Sequence, residues 1–167
     1  MSIKDAILPE FDHEMGVTRK LLDRLPDGDM AWKPHDKSMS MGQLAQHVAD
    51  IPTWAGAIFD KPSYDLAEGG ESPQPKQAAS RAAALDAFDK AVAEARARLT
   101  TKSDAELMAP WSLKRDGQEI FTVPVIGAFR SFILNHSIHH RGQMSVYLRV
   151  RNVPIPSIYG PSADEGM

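Results

Sequence analysis

Cysteine is absent from this chain of 167 residues, so the protein forms no disulfide bond and offers no thiolate as a nucleophile or metal ligand. Long apolar runs are absent too, and the longest fall far short of the roughly 20 residues that a membrane-spanning helix needs. The net charge of -3 and the lack of a long basic run argue against binding of nucleic acid through phosphate neutralisation. The amino terminus has no basic and then apolar signal pattern. We therefore expect a cytoplasmic protein with neither a membrane nor a nucleic acid as its partner.

The remaining composition is that of an ordinary globular protein, with 43% hydrophobic and 25% charged residues. A chain of this length fits one compact domain, so residues 1–167 are expected to form a single unit. Because thiolates are missing, any transition-metal site must be built from histidine, carboxylate and water.

Four segments carry apolar residues at steps of three and four, which is the pattern of amphipathic helices. They cover approximately Ser2 to Leu25, Ser40 to Ile58, Gln74 to Leu99 and Pro124 to Val150. Capping-box pairs mark two helix starts: Ser40 with Gln43, and Ser103 with Glu106 in a short turn of helix after the third segment. Pro52 is expected to kink the second helix.

The segments between and after these helices are rich in residues that favour turns. Residues 61–75 contain three prolines and two adjacent glycines, and are predicted to form a long surface connection. Asp116 and Gly117 separate two short strand-tolerant runs, so Trp111 to Val123 fits a small hairpin. Residues 154–167 are expected to form an extended tail on the surface. The predicted fold class is all-α: a four-helix bundle with a short hairpin between its third and fourth helices.

Two histidines four residues apart, His136 and His140, lie on the apolar stripe of the last predicted helix. A four-residue step directs both rings to one side of a helix, and imidazole is the commonest metal ligand in proteins. His47 in the second helix could close a site of three nitrogens. The helical zinc-protease motif is excluded, because Ser137 stands where that motif needs glutamate. The alternative is that His136 and His140 are core histidines hydrogen-bonded to neighbours, with His47 structural or at the surface.

Three stretches of the chain resemble the signatures of one family. They are Ser38-Met-Ser-Met-Gly-Gln-Leu-Ala-Gln-His47 with its continuation to Trp54, Asn135-His-Ser-Ile-His-His-Arg-Gly-Gln143 followed by Tyr147-Leu-Arg, and Pro154-Ile-Pro-Ser-Ile-Tyr-Gly-Pro-Ser. In matching order over nearly the whole chain, they are similar to the DinB/YfiT-like superfamily. The resemblance implies a four-helix bundle with a divalent metal held by three histidines, and often a homodimer formed by helix packing.

Carried onto this sequence, the resemblance implies that His47, His136 and His140 are the metal ligands, with His139 as their neighbour. Zinc, nickel and iron all suit a set of three imidazoles. Related proteins include bacterial thiol-dependent S-transferases and isomerases, while many have no assigned activity. The fold by itself does not decide the reaction.

Five residues near the histidines are candidates for a supporting role, and each has a plainer alternative. Asp50 lies one turn after the histidine of the second helix and could accept its second N–H, or it faces solvent. Asn135 and Gln143 could orient substrate or water, or they serve helix packing. Trp54 and Tyr147 are either walls of a pocket or ordinary core residues.

The leading hypothesis is a metal-dependent enzyme with an open coordination position, either a hydrolase or an S-transferase that uses a low-molecular-weight thiol. Its partners would be a small-molecule substrate and, for transfer, a thiol that the cysteine-free chain cannot supply. Arg141 could attract an anionic substrate, although its helical position favours solvent or an interface. The alternatives are a non-catalytic metal-binding or stress-response protein and a purely structural helical protein.

Overall fold

The computed structural model describes residues 2–69 and 76–166. Its helices are α1 (Ile3–Leu22), α2 (Met41–Asp50), α3 (Trp54–Phe59), α4 (Arg81–Thr101), α5 (Asp104–Met108), α6 (Val125–Phe129) and α7 (His136–Val150). Its strands are β1 (Ser63–Asp65), β2 (Pro110–Arg115) and β3 (Gln118–Pro124). The predicted third helix was expected to start at Gln74, and the predicted connection to end at Pro75. Both positions lie outside the described residues.

The prediction of an all-α fold is wrong, because the helices are joined by a three-stranded mixed sheet in the order β1-β2-β3. The expected hairpin is present, with β2 and β3 antiparallel. Its turn residues Asp116 and Gly117 have φ values of 51° and 75°, as a two-residue hairpin turn with both φ angles positive requires. The strand that the sequence did not reveal is β1, which pairs in parallel with β2 and places Tyr64 opposite Leu113.

The last residue of β1 fastens this strand to the hairpin turn. The Asp65 carboxylate accepts hydrogen bonds from the backbone N–H groups of Asp116 at 3.0 Å and Gly117 at 2.7 Å. Together with the N–H of Ala67, these backbone donors lower the pKa of Asp65, since they favour the charged carboxylate. A strand of three residues with a distant partner leaves no periodic pattern in the sequence, which explains why it was missed.

Serine side chains begin the helices where the capping boxes predicted them. Ser40 accepts from the N–H of Gln43, whose side-chain oxygen accepts from the Ser40 N–H at 2.8 Å. Ser103 and Glu106 form the same reciprocal pair at the start of α5. These caps satisfy backbone donors that a helix start would otherwise leave free.

Two of the predicted helices are interrupted. A 3₁₀ turn at Ile51–Thr53 separates α2 from α3 around Pro52, which is the predicted kink. A π-helical turn at Arg130–Asn135 joins α6 to α7, which the sequence did not predict. Such turns occur frequently at functional sites, and this one ends directly before His136.

Gly42, near the start of α2, marks a close approach between backbones. A Cβ atom there would lie 2.6 Å from the Gln77 Cγ and 3.0 Å from the Met30 carbonyl oxygen. The Gly42 N–H donates to that carbonyl, and the Gly42 carbonyl accepts from the N–H of Ala78. Glycine therefore lets three chain segments meet where the helix that carries His47 begins.

The core lies between the long helices, where α1 and α2 each pack against α4 and α7. Phe11, Phe88 and Phe129 are fully buried there. Trp111 of β2 is also fully buried, and its indole N–H donates to the Ala57 carbonyl at 3.1 Å, which ties the sheet to α3. None of the helices in the described ranges is long and apolar enough to cross a membrane.

A buried ion pair connects α1 to α7 beneath the carboxyl-terminal tail. Arg141 lies 2.7 Å from Glu14, and their side chains are only 1% and 9% exposed. Arg141 also donates to the Tyr159 hydroxyl at 2.5 Å, and that hydroxyl donates to Glu14 at 2.8 Å. The prediction that Arg141 faces solvent or an interface is wrong, because Glu14 and Tyr159 supply partners that a helical wheel does not show.

The described part of the tail contains no helix or strand after Val150 and is held to the helices by charged pairs. Arg24 pairs with Glu165, and Arg149 pairs with Asp164. These contacts keep Tyr159 over the buried arginine.

Candidate metal centre

Two packed helices bring the three predicted histidines together. His47 lies in the last turn of α2, His136 is the first residue of α7, and His140 follows one turn later. Because α2 packs directly against α7, the three rings face one another across the helix interface. His47 and His136 are half-buried, and His140 is buried.

The three Nε2 atoms form a nearly equilateral triangle. The Nε2 of His47 lies 3.2 Å from that of His136 and 3.0 Å from that of His140. The third edge, between His136 and His140, is 2.9 Å. The spacing argument required the rings of His136 and His140 to point the same way, and their Nε2 atoms do converge.

Hydrogen bonds among the three rings cannot satisfy this triangle. A ring nitrogen carries either a hydrogen or a lone pair, and a hydrogen bond needs one of each. Among three mutually close nitrogens, at least two must be of the same kind, so at least one edge sets hydrogen against hydrogen or lone pair against lone pair. A cation at the centre removes the conflict, because it accepts the lone pairs of all three nitrogens.

Gln143 fixes the tautomer of His140. Its Oε1 lies 2.7 Å from the His140 Nδ1, and an amide oxygen only accepts, so Nδ1 carries the hydrogen. The Nε2 of His140 is therefore left with its lone pair directed into the triangle. The Gln143 amide nitrogen, 3.1 Å from the Nε2 of His139, donates to that exposed ring.

All three imidazoles are held in the neutral form that binds metals. Burial lowers the pKa of His47 and of His136, and it lowers the pKa of His140 to about 4. Repulsion between the rings adds to the effect at His136 and His140. A nearby Asp50 opposes it at His47, and a backbone hydrogen bond with Phe132 opposes it at His136. Neutral imidazole is the ligand form, since a protonated ring nitrogen has no lone pair to give.

The donor set fits a divalent transition metal. Imidazole nitrogens bind zinc at about 2.0–2.1 Å, and for edges of the observed length this gives N–metal–N angles of roughly 90–105°. Such angles lie between octahedral and tetrahedral values, so three histidines would fill only part of the coordination shell in either geometry.

The other predicted neighbours have different surroundings. Asp50 accepts a hydrogen bond from Gln46 at 2.9 Å, so its carboxylate acts on His47 through charge. Asn135 is exposed at the end of the π-helical turn. Tyr147 donates its hydroxyl to the Met39 carbonyl at 3.1 Å, which ties α7 to the loop before α2.

Trp54 belongs to an aromatic cluster next to the histidines. Its ring stacks on Phe132 with centroids 5.4 Å apart and planes 18° apart, and it meets Tyr64 edge-on at 5.1 Å. Phe132 lies one turn before His136. The sequence reasoning missed Phe132 and Tyr64. The signal for Phe132 was its four-residue spacing from His136, whereas nothing local marked Tyr64.

Comparisons with known proteins agree with this fold and with the sequence motifs. The model of the DinB family matches residues 1–166. A protein of Bacillus subtilis (strain 168) described as uncharacterized protein YrdA is 28% identical over 166 residues, which cover 96% of this chain and 90% of that protein.

Two solved structures share the fold. A DinB-like protein from Bacillus cereus ATCC 10987 superposes with a TM-score of 0.70 at 23% identity, covering 95% of this chain and 98% of that one. The DinB-like protein YjoA from Bacillus subtilis gives a TM-score of 0.66 at 18% identity, covering 89% and 96%. With a family model that matches all but the last residue of the sequence, the chain belongs to the DinB family.

Proposed function

We propose that this protein is a metal-dependent enzyme that holds one divalent transition metal on His47, His136 and His140. The observation that carries the proposal is the Nε2 triangle with edges of 2.9–3.2 Å, which internal hydrogen bonds cannot satisfy. Three neutral imidazoles and no thiolate suit zinc, nickel or iron.

The reaction class that fits best is hydrolysis or transfer of a low-molecular-weight thiol to a small electrophile. A divalent metal in this site supplies a Lewis acid that makes a water or thiol in its open position more acidic. Gln143 holds the His140 ring in the binding tautomer, and Asp50 adds negative charge beside His47. The thiol must arrive as a cosubstrate, because the chain contains no cysteine.

Metal analysis of protein prepared without a histidine tag tests the site. We expect about one equivalent of metal in the wild type and a loss of at least tenfold in affinity for the His136→Ala/His140→Ala double variant and for His47→Ala. The matched controls are His139→Ala, next to the site, and His13→Ala on the exposed face of α1, which should keep the metal. Full metal content in the double variant would contradict the proposal.

Turnover separates an enzyme from a non-catalytic metal-binding or stress-response protein. Cleavage of a chromogenic ester without thiol indicates a hydrolase, and conversion of an aryl electrophile only when a thiol is added indicates a transferase. In both cases the His136→Ala/His140→Ala variant should be inactive. A metal-loaded protein whose coordination shell has no exchangeable position would support the non-catalytic alternative.

A further inference from the structure

A cavity of about 540 Å³ lies beside α3 and β1. Its lining residues are Thr53, Trp54, Ala57, Tyr64 and Lys76. This volume is in the range of small-molecule pockets. None of these residues is one of the three histidines of the candidate metal centre.

An aromatic contact links one wall of the cavity to the segment that leads into His136. Trp54 and Ala57 of the lining lie on α3, which the 3₁₀ turn at Ile51–Thr53 separates from α2 and its His47. On the opposite helix, Phe132 stacks against Trp54, and His136 lies one turn further on. The Trp54 wall of the cavity is therefore in contact with the π-helical turn that ends directly before His136.

The walls of the cavity favour a flat aromatic or conjugated group. Trp54 and Tyr64 are both half-buried and meet edge to face, with centroids 5.1 Å apart. Aromatic rings bind other rings in stacked or edge-on arrangements at centroid distances of about 4.5–7 Å. Phe132 supports the Trp54 ring from behind, so the indole is held in place before a ligand arrives.

One of the lining residues of the cavity is charged. Lys76 lines it and is exposed, so its ammonium group is available at the mouth. An anionic group of a ligand is therefore expected to lie at Lys76.

We propose that this cavity binds a small organic anion that carries an aromatic or conjugated planar group. The ring of the ligand packs against the exposed surfaces of Trp54 and Tyr64, and the anionic group lies at Lys76. The role of the cavity as the substrate pocket rests on the proposed metal-dependent function, whereas binding of the ligand does not need the metal.

The test uses benzenesulfonate, because the sulfonate group is a poor metal ligand and reports on the cavity alone. The comparison ligands are methanesulfonate, which has the charge without the ring, and benzyl alcohol, which has the ring without the charge. Affinities are measured by titration of the zinc-loaded protein, following the indole N–H signals in two-dimensional NMR spectra. The Trp54 signal should shift while that of Trp32 stays in place.

We expect benzenesulfonate to bind about fivefold more tightly than methanesulfonate, from stacking on the aromatic walls. Lys76→Gln should weaken benzenesulfonate about threefold and leave benzyl alcohol unchanged. Lys90→Gln, a change of the same kind on the exposed face of α4, is the matched control and should have no effect. Trp54→Leu should abolish the preference for benzenesulfonate over methanesulfonate, and Trp54→Phe should retain most of that preference.

Equal affinity for the three ligands, or an unshifted Trp54 signal, would contradict the proposed ligand site. Equal effects of Lys76→Gln and Lys90→Gln on benzenesulfonate affinity would contradict it as well. The metal-free His136→Ala/His140→Ala variant keeps the two proposals apart. If wild-type protein takes up no metal yet both proteins bind benzenesulfonate as expected, the pocket stands and the proposed enzyme function fails. If wild-type protein takes up metal and benzenesulfonate does not bind, the pocket alone fails.

Discussion

At the scale of single residues, the exposed side chain of Gln143 orients two histidine rings at once. Its oxygen holds the Nδ1 hydrogen of His140, and its nitrogen donates to His139. Partners of this kind orient a metal-binding imidazole and raise its basicity. The sequence predicted a role for Gln143 in orienting substrate or water or in helix packing, whereas its contacts are with the two histidine rings.

Gln143→Ala should therefore weaken metal binding by about tenfold while leaving the fold intact, because it removes the acceptor that fixes the His140 tautomer. Competition with a chromophoric chelator measures the affinity. Asn135→Ala, an exposed amide in the same helical region, is the control and should change the affinity by less than about twofold. Equal losses in the two variants would contradict the assigned role.

The depressed pKa values of the three histidines predict how the metal-free protein responds to acid. In the unfolded chain imidazole titrates near pH 6.5, and in the folded protein the pKa of His140 is lowered to about 4. Between these values the unfolded chain binds more protons than the folded chain. Stability is thus fully present above about pH 6.5 and falls as the pH drops towards about 4.

Urea midpoints of the metal-free protein at pH 7.5, 6 and 5 check this expectation. The His136→Ala/His140→Ala variant should show a shallower fall over the same interval, since two of the titrating rings are gone. The interval lies above the range in which the carboxylates with lowered pKa values, such as Asp65, take up protons. An identical slope in the variant would show that other groups cause the loss.

At the scale of elements, the position of α7 depends on more than apolar packing. Arg141 follows His140 directly, and its buried pair with Glu14 fixes α7 to α1 at the level of the three histidines. Tyr159 extends the same network into the tail. The exposed pairs between helices, such as Arg19 with Asp89, lie in solvent and contribute little.

Arg141→Met should destabilise the protein by about 3–5 kcal/mol, because it leaves the Glu14 carboxylate buried without its cation. The matched change Arg19→Met breaks an exposed pair and should cost less than about 1 kcal/mol. Urea denaturation at pH 7.5 measures both. A comparable, small loss in the two variants would mean that Glu14 reaches solvent when Arg141 is removed.

The interruptions in the helices also belong to this scale. The kink at Pro52 was predictable, since proline lacks a backbone N–H and clashes with the preceding turn. The π-helical turn at Arg130–Asn135 was not, because no residue type in that segment demands an extra residue in the turn. This turn, which contains Phe132, changes the direction in which the preceding residues of α6 point relative to His136.

At the scale of the whole molecule, the proposed metal joins α2 to α7 and should stabilise the folded state. A ligand that binds only the folded protein adds about 4 kcal/mol when present at 1,000 times its Kd. For a chain of this size that corresponds to a rise in Tm of roughly 10 °C. Removal of the metal by a chelator should reverse the rise.

Differential scanning calorimetry with zinc, with chelator and with neither measures the effect. The His136→Ala/His140→Ala variant should show the same Tm under all three conditions. A zinc-induced rise of equal size in that variant would indicate that the metal binds elsewhere on the protein.

The sequence by itself determined the features that depend on residues a few positions apart. Periodic apolar residues marked the long helices, capping boxes marked the starts at Ser40 and Ser103, and the Asp116-Gly117 pair marked the hairpin turn. The four-residue step placed His136 and His140 on one side of a helix for the same local reason.

Only the tertiary structure decided which distant segments meet. It brought His47 to the later pair, placed Glu14 against Arg141, and added β1 to the hairpin, so the fold is mixed where an all-α bundle was expected. Local periodicity reports which side of an element is apolar, but it does not report what that side packs against. The physical reason is that a buried polar contact gains its energy from a partner far along the chain, whose position is set by the packing of the whole core.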